Sequence, residues 1–204
     1  EAEDVPVQEF IEPAPVAPVA AITGKQIESI NAPNPPDVFK FLPSVTVRKR
    51  YIGDHNVPMA IRGSSLDSTA QTVVYADDFL LSNFLGGHSA GARWFMVSPE
   101  EIAGADILYG PYSAIYPGNS IGGVATIHTR MPEEFEFHSG GSLYLQKYSD
   151  YGTDDHHFGY KFDLGAGDKK GKFGYYLNYR HFENEAPAQS LRAESGLRTQ
   201  SPSD

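Results

Sequence analysis

Residues 87–91 read Gly-His-Ser-Ala-Gly, and residues 118–122 read Gly-Asn-Ser-Ile-Gly. Both fit G-x-S-x-G, the turn that exposes a nucleophilic serine in α/β hydrolases. A serine there needs an acid and then a histidine later in the chain, and Asp106 and His128 are the nearest such pair. Asp77-Asp78 is a possible carboxylate pair, and Asp154-Asp155-His156-His157 offers four oxygen and nitrogen donors to a metal. With no cysteine in the chain, thiolate chemistry and disulfides are excluded.

The elements around these residues do not support catalysis. An elbow needs a buried strand before the serine and a helix after it. After Ser89 the chain meets Pro99 within ten residues, and Ser120 leads into a glycine-rich stretch and then "VATIHTR". His128 falls on that expected strand, not in a loop above a sheet, and no βαβ alternation is visible. In a chain with 20 glycines such matches arise by chance. Adjacent residues on a strand point apart, so Asp77 and Asp78 read as a turn. Residues 149–157, "SDYGTDDHH", read as a polar loop, so the Asp/His run is a solvated tip and no metal site is expected.

A formal charge of −10 argues against a nucleic-acid partner. No apolar run reaches the roughly 18 residues of a membrane helix, although barrel strands are shorter and alternate. The first residues, "EAEDVPVQEF", lack a basic start and an apolar core, so an export signal was either never present or already removed.

Three zones follow. Residues 1–22 are acidic and then Pro/Ala-rich, an extended linker. Residues 23–132 read as a mixed α+β domain of short elements. Thr23 with Gln26 forms a capping box for a helix to about Ile30. A second helix spans Asp37–Leu42, with Val38, Phe41 and Leu42 on one face and Pro43 as its stop. "SVTVRKR", "PMAIRG" and "QTVVYAD" read as strands. Ser98-Pro99-Glu100-Glu101 starts a third helix, and "ADILYG" and "VATIHTR" are further strands.

Residues 133–182 change character. Phe135, Phe137, Leu143 and Leu145 share one parity. So do Phe158, Tyr160, Phe162, Leu164 and Ala166, and then Phe173, Tyr175, Leu177 and Tyr179. Between them stand Gly, Lys, Asp, Asn and Arg. "GDKKGK", residues 167–172, is a tight turn. One apolar aromatic face and one polar face fit the strands of an outer-membrane barrel, or a β-sandwich with one wet face. Three strands cannot close a barrel, so on the first reading the chain is the beginning of a longer protein. The tail from 183 to 204 is polar.

Several ordered motifs resemble the plug domain of TonB-dependent outer-membrane receptors. They are "ITGKQIESINAPNPPDVFKFLPSVTV", "AIRGS" at 60–64, "VVYADDFLL", and "SPEEIAGADILYGPYSAIYPGNSIGGVATIHTR". The resemblance covers about residues 22–132, and the alternating strands follow where the first barrel strands would. It implies an α+β plug with a short mixed sheet and small helices, followed by antiparallel strands of a barrel of about 22 strands, truncated here. The implied layout is a periplasmic N-terminal segment over 1–22, a plug over 23–132, and over 133–204 three barrel strands and the start of an extracellular loop.

The resemblance also implies function. Such a protein is no enzyme and needs no cofactor. It imports a scarce ligand through the outer membrane of a Gram-negative cell, with the plug gating the lumen and the N-terminus in the periplasm. A ferric siderophore or other metal chelate is expected; the alternatives are a glycan or cobalamin-like ligand, or a plug-fold sensing module without transport. The implied partners are TonB with its ExbB/ExbD energising complex, an extracellular small molecule and outer-membrane lipid. Residues Asp4, Val5, Pro6, Val7 and Gln8 stand where a TonB box is sought, and TonB pairs with such a box by strand addition. Three plug loops would face the ligand. The first contributes Arg48, Lys49, Arg50, Tyr51 and His55, a basic group suited to an anionic chelate or to acids of the barrel wall. The second contributes Ser65 and Asp67, and the third Asn83, Phe84, His88 and Ser89. Plug–barrel docking in the family uses ionic residues matched here by Arg62 and Asp106. Tyr109 stands where the family has Arg, and Pro117 where it has Gly.

Overall fold

The computed structural model describes residues 19–54, 57–64, 71–82, 92–110, 116, 120–150 and 153–185. Two bodies of structure meet along one seam. The first is a mixed domain built on a five-stranded sheet. Its strands are β1 (Val19–Thr23), β4 (Thr72–Ala76), β5 (Phe79–Leu80), β6 (Ile102–Tyr109) and β7 (Gly123–Thr129). The order is β1-β6-β7-β4-β5, with only β4 and β7 parallel. A small ribbon pairs β2 (Val45–Val47) with β3 (Met59–Ile61).

The capping box forms as its residues dictate. The Thr23 hydroxyl accepts from the Gln26 N–H at 3.2 Å, and the Gln26 side chain accepts from the Thr23 N–H at 2.9 Å. Helix α1 then spans only Gly24–Glu28. Three expectations are corrected. Residues 19–22 are not linker: they form β1, antiparallel to β6 from Val19↔Leu108 to Thr23↔Gly104. The second helix is a 3₁₀ helix over Pro35–Phe41, and the tighter winding re-aims its face. Phe39 is buried in place of Phe41, which is 66% exposed. The helix after Ser98 is a single 3₁₀ turn, Pro99–Glu101. Its capping box closes, but Ile102 enters β6 at once, because Ile102, Ala105 and Ile107 are buried in the sheet's core. That core, on one face of the sheet, also holds Ile22, Phe39, Val74, Trp94 and Ile127. Trp94 donates its ring N–H to the Val57 carbonyl at 3.0 Å.

The second body is a wall of three long strands, β8 (Glu136–Asp150), β9 (Thr153–Lys170) and β10 (Phe173–Asn184), ordered β10-β9-β8 and antiparallel. The ladder runs farther than expected at both ends. β8 pairs with β9 up to Asp150↔Thr153, so the polar loop expected over 149–157 is mostly strand. β9 reaches Lys170, and the turn shrinks to Gly171, at φ +64°, and Lys172. The expected parity holds. Phe137, Leu143, Leu145, Phe158, Phe162, Phe173, Leu177 and Tyr179 all face outward and are exposed. On β9 the outward residues Phe158, Tyr160, Phe162, Leu164 and Ala166 form an apolar run of about 26 Å along the strand, about 20 Å of height at the tilt usual in barrels, which approaches a bilayer's hydrocarbon band. The opposite face lies against the mixed domain. No helix among the described residues is long and apolar enough to cross a membrane.

Candidate functional site

The basic loop after β2 sits against the upper half of the wall, towards the β8–β9 hairpin. Ile52 donates its N–H to Gln146 at 3.4 Å and accepts from the Asn184 amide at 2.6 Å. Gly53 has φ +88°, and a Cβ there would overlap the Phe182 ring, so only glycine fits the turn. The Arg50 side chain forks onto Asp54, with Nε at 2.9 Å and Nη2 at 2.8 Å, and the Arg50 N–H adds a third bond at 3.1 Å. The Asp54 carboxylate is wholly buried. This bidentate contact holds the Arg50 guanidinium above its usual pKa, against a smaller opposing effect of burial.

Lys49 pairs with Asp37 at 2.5 Å, and that carboxylate is also buried. Asp37 in turn accepts from the Asn34 N–H at 3.1 Å, while the Asn34 amide donates to the Asp54 carbonyl at 3.0 Å. Two of the three loop cations are therefore committed to acids of the same domain rather than of a barrel wall. Arg48 is exposed and has no acidic partner among the described residues. Tyr51 lies beneath Arg50, its ring 5.8 Å from the guanidinium. The sequence carried a signal for this: an acid stands four residues after Arg50, in "RYIGD".

His55, Ser65, Asp67, Asn83, Phe84, His88 and Ser89 lie outside the described residues, as do Asp4, Val5, Pro6, Val7 and Gln8. Arg62 and Asp106 are described and are not brought together. Arg62, at φ +53°, donates to the Gly110 carbonyl at 2.5 Å and lies 5.4 Å from the Tyr109 ring. The Tyr109 hydroxyl donates to the Pro43 carbonyl, and burial raises its pKa despite the nearby Arg62 cation. Asp106 meets His128 on the neighbouring strand at 2.5 Å.

That acid–histidine pair lacks a nucleophile at Ser120. His128 is near one end of β7 and Ser120 precedes the other, about 16 Å or more away at strand rise. Asp77 anchors a turn: its carboxylate accepts from the Thr129 N–H at 2.9 Å and the Thr129 hydroxyl at 2.7 Å. The residues Asp154 to His157 lie along β9, where successive side chains alternate faces and cannot converge on one ion.

Sequence reasoning missed the seam. The Lys161 ammonium on β9 bonds Glu100 of the mixed domain and lies 3.3 Å from Asp163. The Asn178 amide donates to the Ser98 hydroxyl at 2.8 Å, the Tyr176 hydroxyl to the Glu100 carbonyl at 3.5 Å, and Arg180 to the Pro33 carbonyl. The alternation marked these residues as one polar face; it carried no signal of what that face would meet.

Residues 14–124 match the family model described as TonB-dependent Receptor Plug Domain. The vitamin B12 transporter BtuB of Vibrio vulnificus (strain YJ016) is 28% identical over 148 residues, which is 72% of this chain and 22% of that protein. Among solved structures, the unliganded ferric citrate transporter FecA superposes with a TM-score of 0.66 at 18% identity, covering 82% of this chain and 25% of its own. The siderophore receptor PirA from Acinetobacter baumannii gives 0.60 at 20% identity, covering 85% and 25%. The ferric enterobactin receptor PfeA gives 0.62 at 17%, covering 82% and 25%. The chain thus spans about a quarter of the length of the proteins it resembles.

Proposed function

The chain belongs to the TonB-dependent receptor plug-domain family, and from that premise we propose that it is the plug and first barrel strands of an outer-membrane importer of a ferric siderophore or other metal chelate. It is not an enzyme; its relatives are transporters and receptors. The observation that carries the proposal is the split of the wall. Its outer face exposes apolar and aromatic side chains on all three strands, and its inner face carries the polar groups that contact the plug.

In this reading the periplasmic segment, with its box at Asp4–Gln8, precedes β1; the plug runs from β1 at Val19 to residue 132, and residues 133–204 open the barrel. TonB, energised by ExbB/ExbD, pairs with the box, and lipid covers the outer face. The loop 48–54 lies at the ligand side. Arg48 offers a cation with no acidic partner among the described residues, and Tyr51 and Arg50 a shelf beside it, which suits an anionic chelate. Ser65, Asp67, Asn83, Phe84, His88 and Ser89 would complete the ligand surface. Arg62 and Asp106 would dock against the remaining barrel.

The test is uptake by cells carrying the full-length receptor, offered labelled ferric siderophores, ferric citrate and cobalamin with and without TonB. TonB-dependent uptake of an iron chelate, weakened about tenfold in Kd by Arg48→Ala, supports the reading. Cobalamin uptake alone would replace the ligand class, and uptake that ignores TonB would sink the coupling.

A further inference from the structure

The loop after β2 carries more positive charge in its sequence than it presents. Arg48, Lys49 and Arg50 stand side by side, and two carboxylates of the same domain lie behind them. Asp54 holds Arg50 by two bonds at 2.9 and 2.8 Å, and Asp37 holds Lys49 at 2.5 Å. The acid side chains are 0% and 5% exposed, against 41% for Arg50 and 22% for Lys49. The negative ends therefore lie inside and the positive ends nearer the surface. The two pairs are also joined. Asp37 accepts from the Asn34 N–H at 3.1 Å, and the Asn34 amide donates to the Asp54 carbonyl at 3.0 Å.

An ion pair met end-on attracts an anion much less than a lone cation does. With the acid about 3 Å behind the cation, a ligand charge about 6 Å in front loses roughly two thirds of the cation's pull at one effective dielectric. Arg48 differs: it is exposed and meets no acid among the described residues. The stretches 64–70 and 82–91, which carry the other expected ligand contacts, contain no lysine or arginine and one acid, Asp67. Beside Arg48 lies the half-buried ring of Tyr51, 5.8 Å from the Arg50 guanidinium.

We propose that the plug's part of the ligand site is set for a ferric chelate of low charge, neutral or singly negative, and that Asp37 and Asp54 are the positioning residues that impose this limit by closing Lys49 and Arg50 into pairs and leaving Arg48 to the ligand. The proposal deepens the importer reading and rests on it. Ferric chelates differ in this property: three hydroxamates neutralise the ion, and three catecholates overshoot to a trianion. Three open cations would favour the trianion. One open cation beside two closed pairs favours the neutral chelate, because a trianion gives up its hydration without meeting matching charge. A neutral chelate still presents acceptor oxygens to which Arg48 donates.

The test is equilibrium binding to the full-length receptor of two iron-labelled probes, ferrichrome as a neutral tris-hydroxamate and ferric enterobactin as a trianionic tris-catecholate. The parent is expected to bind the neutral probe at least as tightly as the trianion. Asp54→Asn and Asp37→Asn keep the shape of each acid and remove its charge. Each should move the ratio of affinities about tenfold towards the trianion, the scale of one further charged hydrogen bond. Arg48→Gln should move it the other way. A purely structural role for the two acids would weaken both probes alike, so a ratio unmoved in both variants overturns the charge assignment. A parent that prefers the trianion by about tenfold overturns it too, and that measurement needs no variant to fold. In both cases the receptor still binds ferric chelates and the importer reading stands. A parent that binds neither probe ends the iron-chelate reading and this proposal with it.

Discussion

The mixed domain is held together in two ways that differ in kind. Its core packs Ile107, Ile127, Val74, Phe39 and Trp94 with almost no exposure. Its attachment to the wall buries charges and amides, several of whose atoms have no protein partner among the described residues. Apolar burial is non-directional and scales with area, so a core resists change as one unit. A polar seam is directional, and water can replace each contact as it breaks. One chain has thus built an apolar body and, beside it, a polar seam.

The largest expected effect tests the core side of that contrast. Ile107→Ala removes a fully buried side chain from the sheet's core. It should cost about 3 kcal/mol in the plug's unfolding transition, followed by calorimetry of the full-length receptor. A loss under about 1 kcal/mol would mean that the core is no tighter than the seam.

Next comes the wall's outer face. Leu177 is exposed there between Tyr175 and Tyr179. Leu177→Arg should cost about 2 to 3 kcal/mol in barrel stability in lipid, measured by urea titration of refolding into vesicles. The same change in a detergent that solvates the guanidinium should cost much less. Equal penalties in both settings would argue that this face meets protein, not lipid.

The loop 48–54 lies between these extremes, because it is polar like the seam yet fixed like the core. Arg50→Ala removes both guanidinium bonds from the buried Asp54 carboxylate. It should cost about 2 kcal/mol, and Arg50→Ala/Asp54→Ala together should cost less than Arg50→Ala alone. Were the two single losses merely additive, the fork would not be what holds the loop.

How much of this was legible depends on the reach of each interaction. The capping box at Thr23–Gln26 spans three residues and reads directly from the chain, as does the period-two pattern of β8–β10. Strand β1 was hidden because "VAAIT" has no alternation of its own, and it is a strand only through β6, more than eighty residues on. The 3₁₀ winding at Pro35–Phe41 changed which of Phe39 and Phe41 is inside, a choice that i,i+3 spacing and helical spacing make differently. The loop cations read as partners of an anionic ligand or of barrel-wall acids because like charges cluster at 48–50, while the acids that hold Lys49 and Arg50 are Asp37 and Asp54 of the same domain. Glu100 and Lys161 are a charge pair that only the folded chain brings together.

The smallest expected effect is the one on which the contrast turns. Asn178 donates to Ser98 at 2.8 Å, a distance as good as any hydrogen bond in the core. If the seam were built like the core, Asn178→Ala would take the wall's partner from the Ser98 hydroxyl and cost about 1 to 3 kcal/mol, the usual penalty for an unsatisfied buried group. But the other end of the same amide, Oδ1, has no protein partner among the described residues, and native proteins give such an atom a water. A water molecule can then occupy the place of the lost side chain and bond Ser98. The expected loss is therefore at most about 0.5 kcal/mol in the plug transition, with a faster rate of backbone exchange at residues 98–101 as its visible trace. A full penalty with unchanged exchange would make the seam a dry interface, and its unpaired atoms a reserve of strain instead of a path for water.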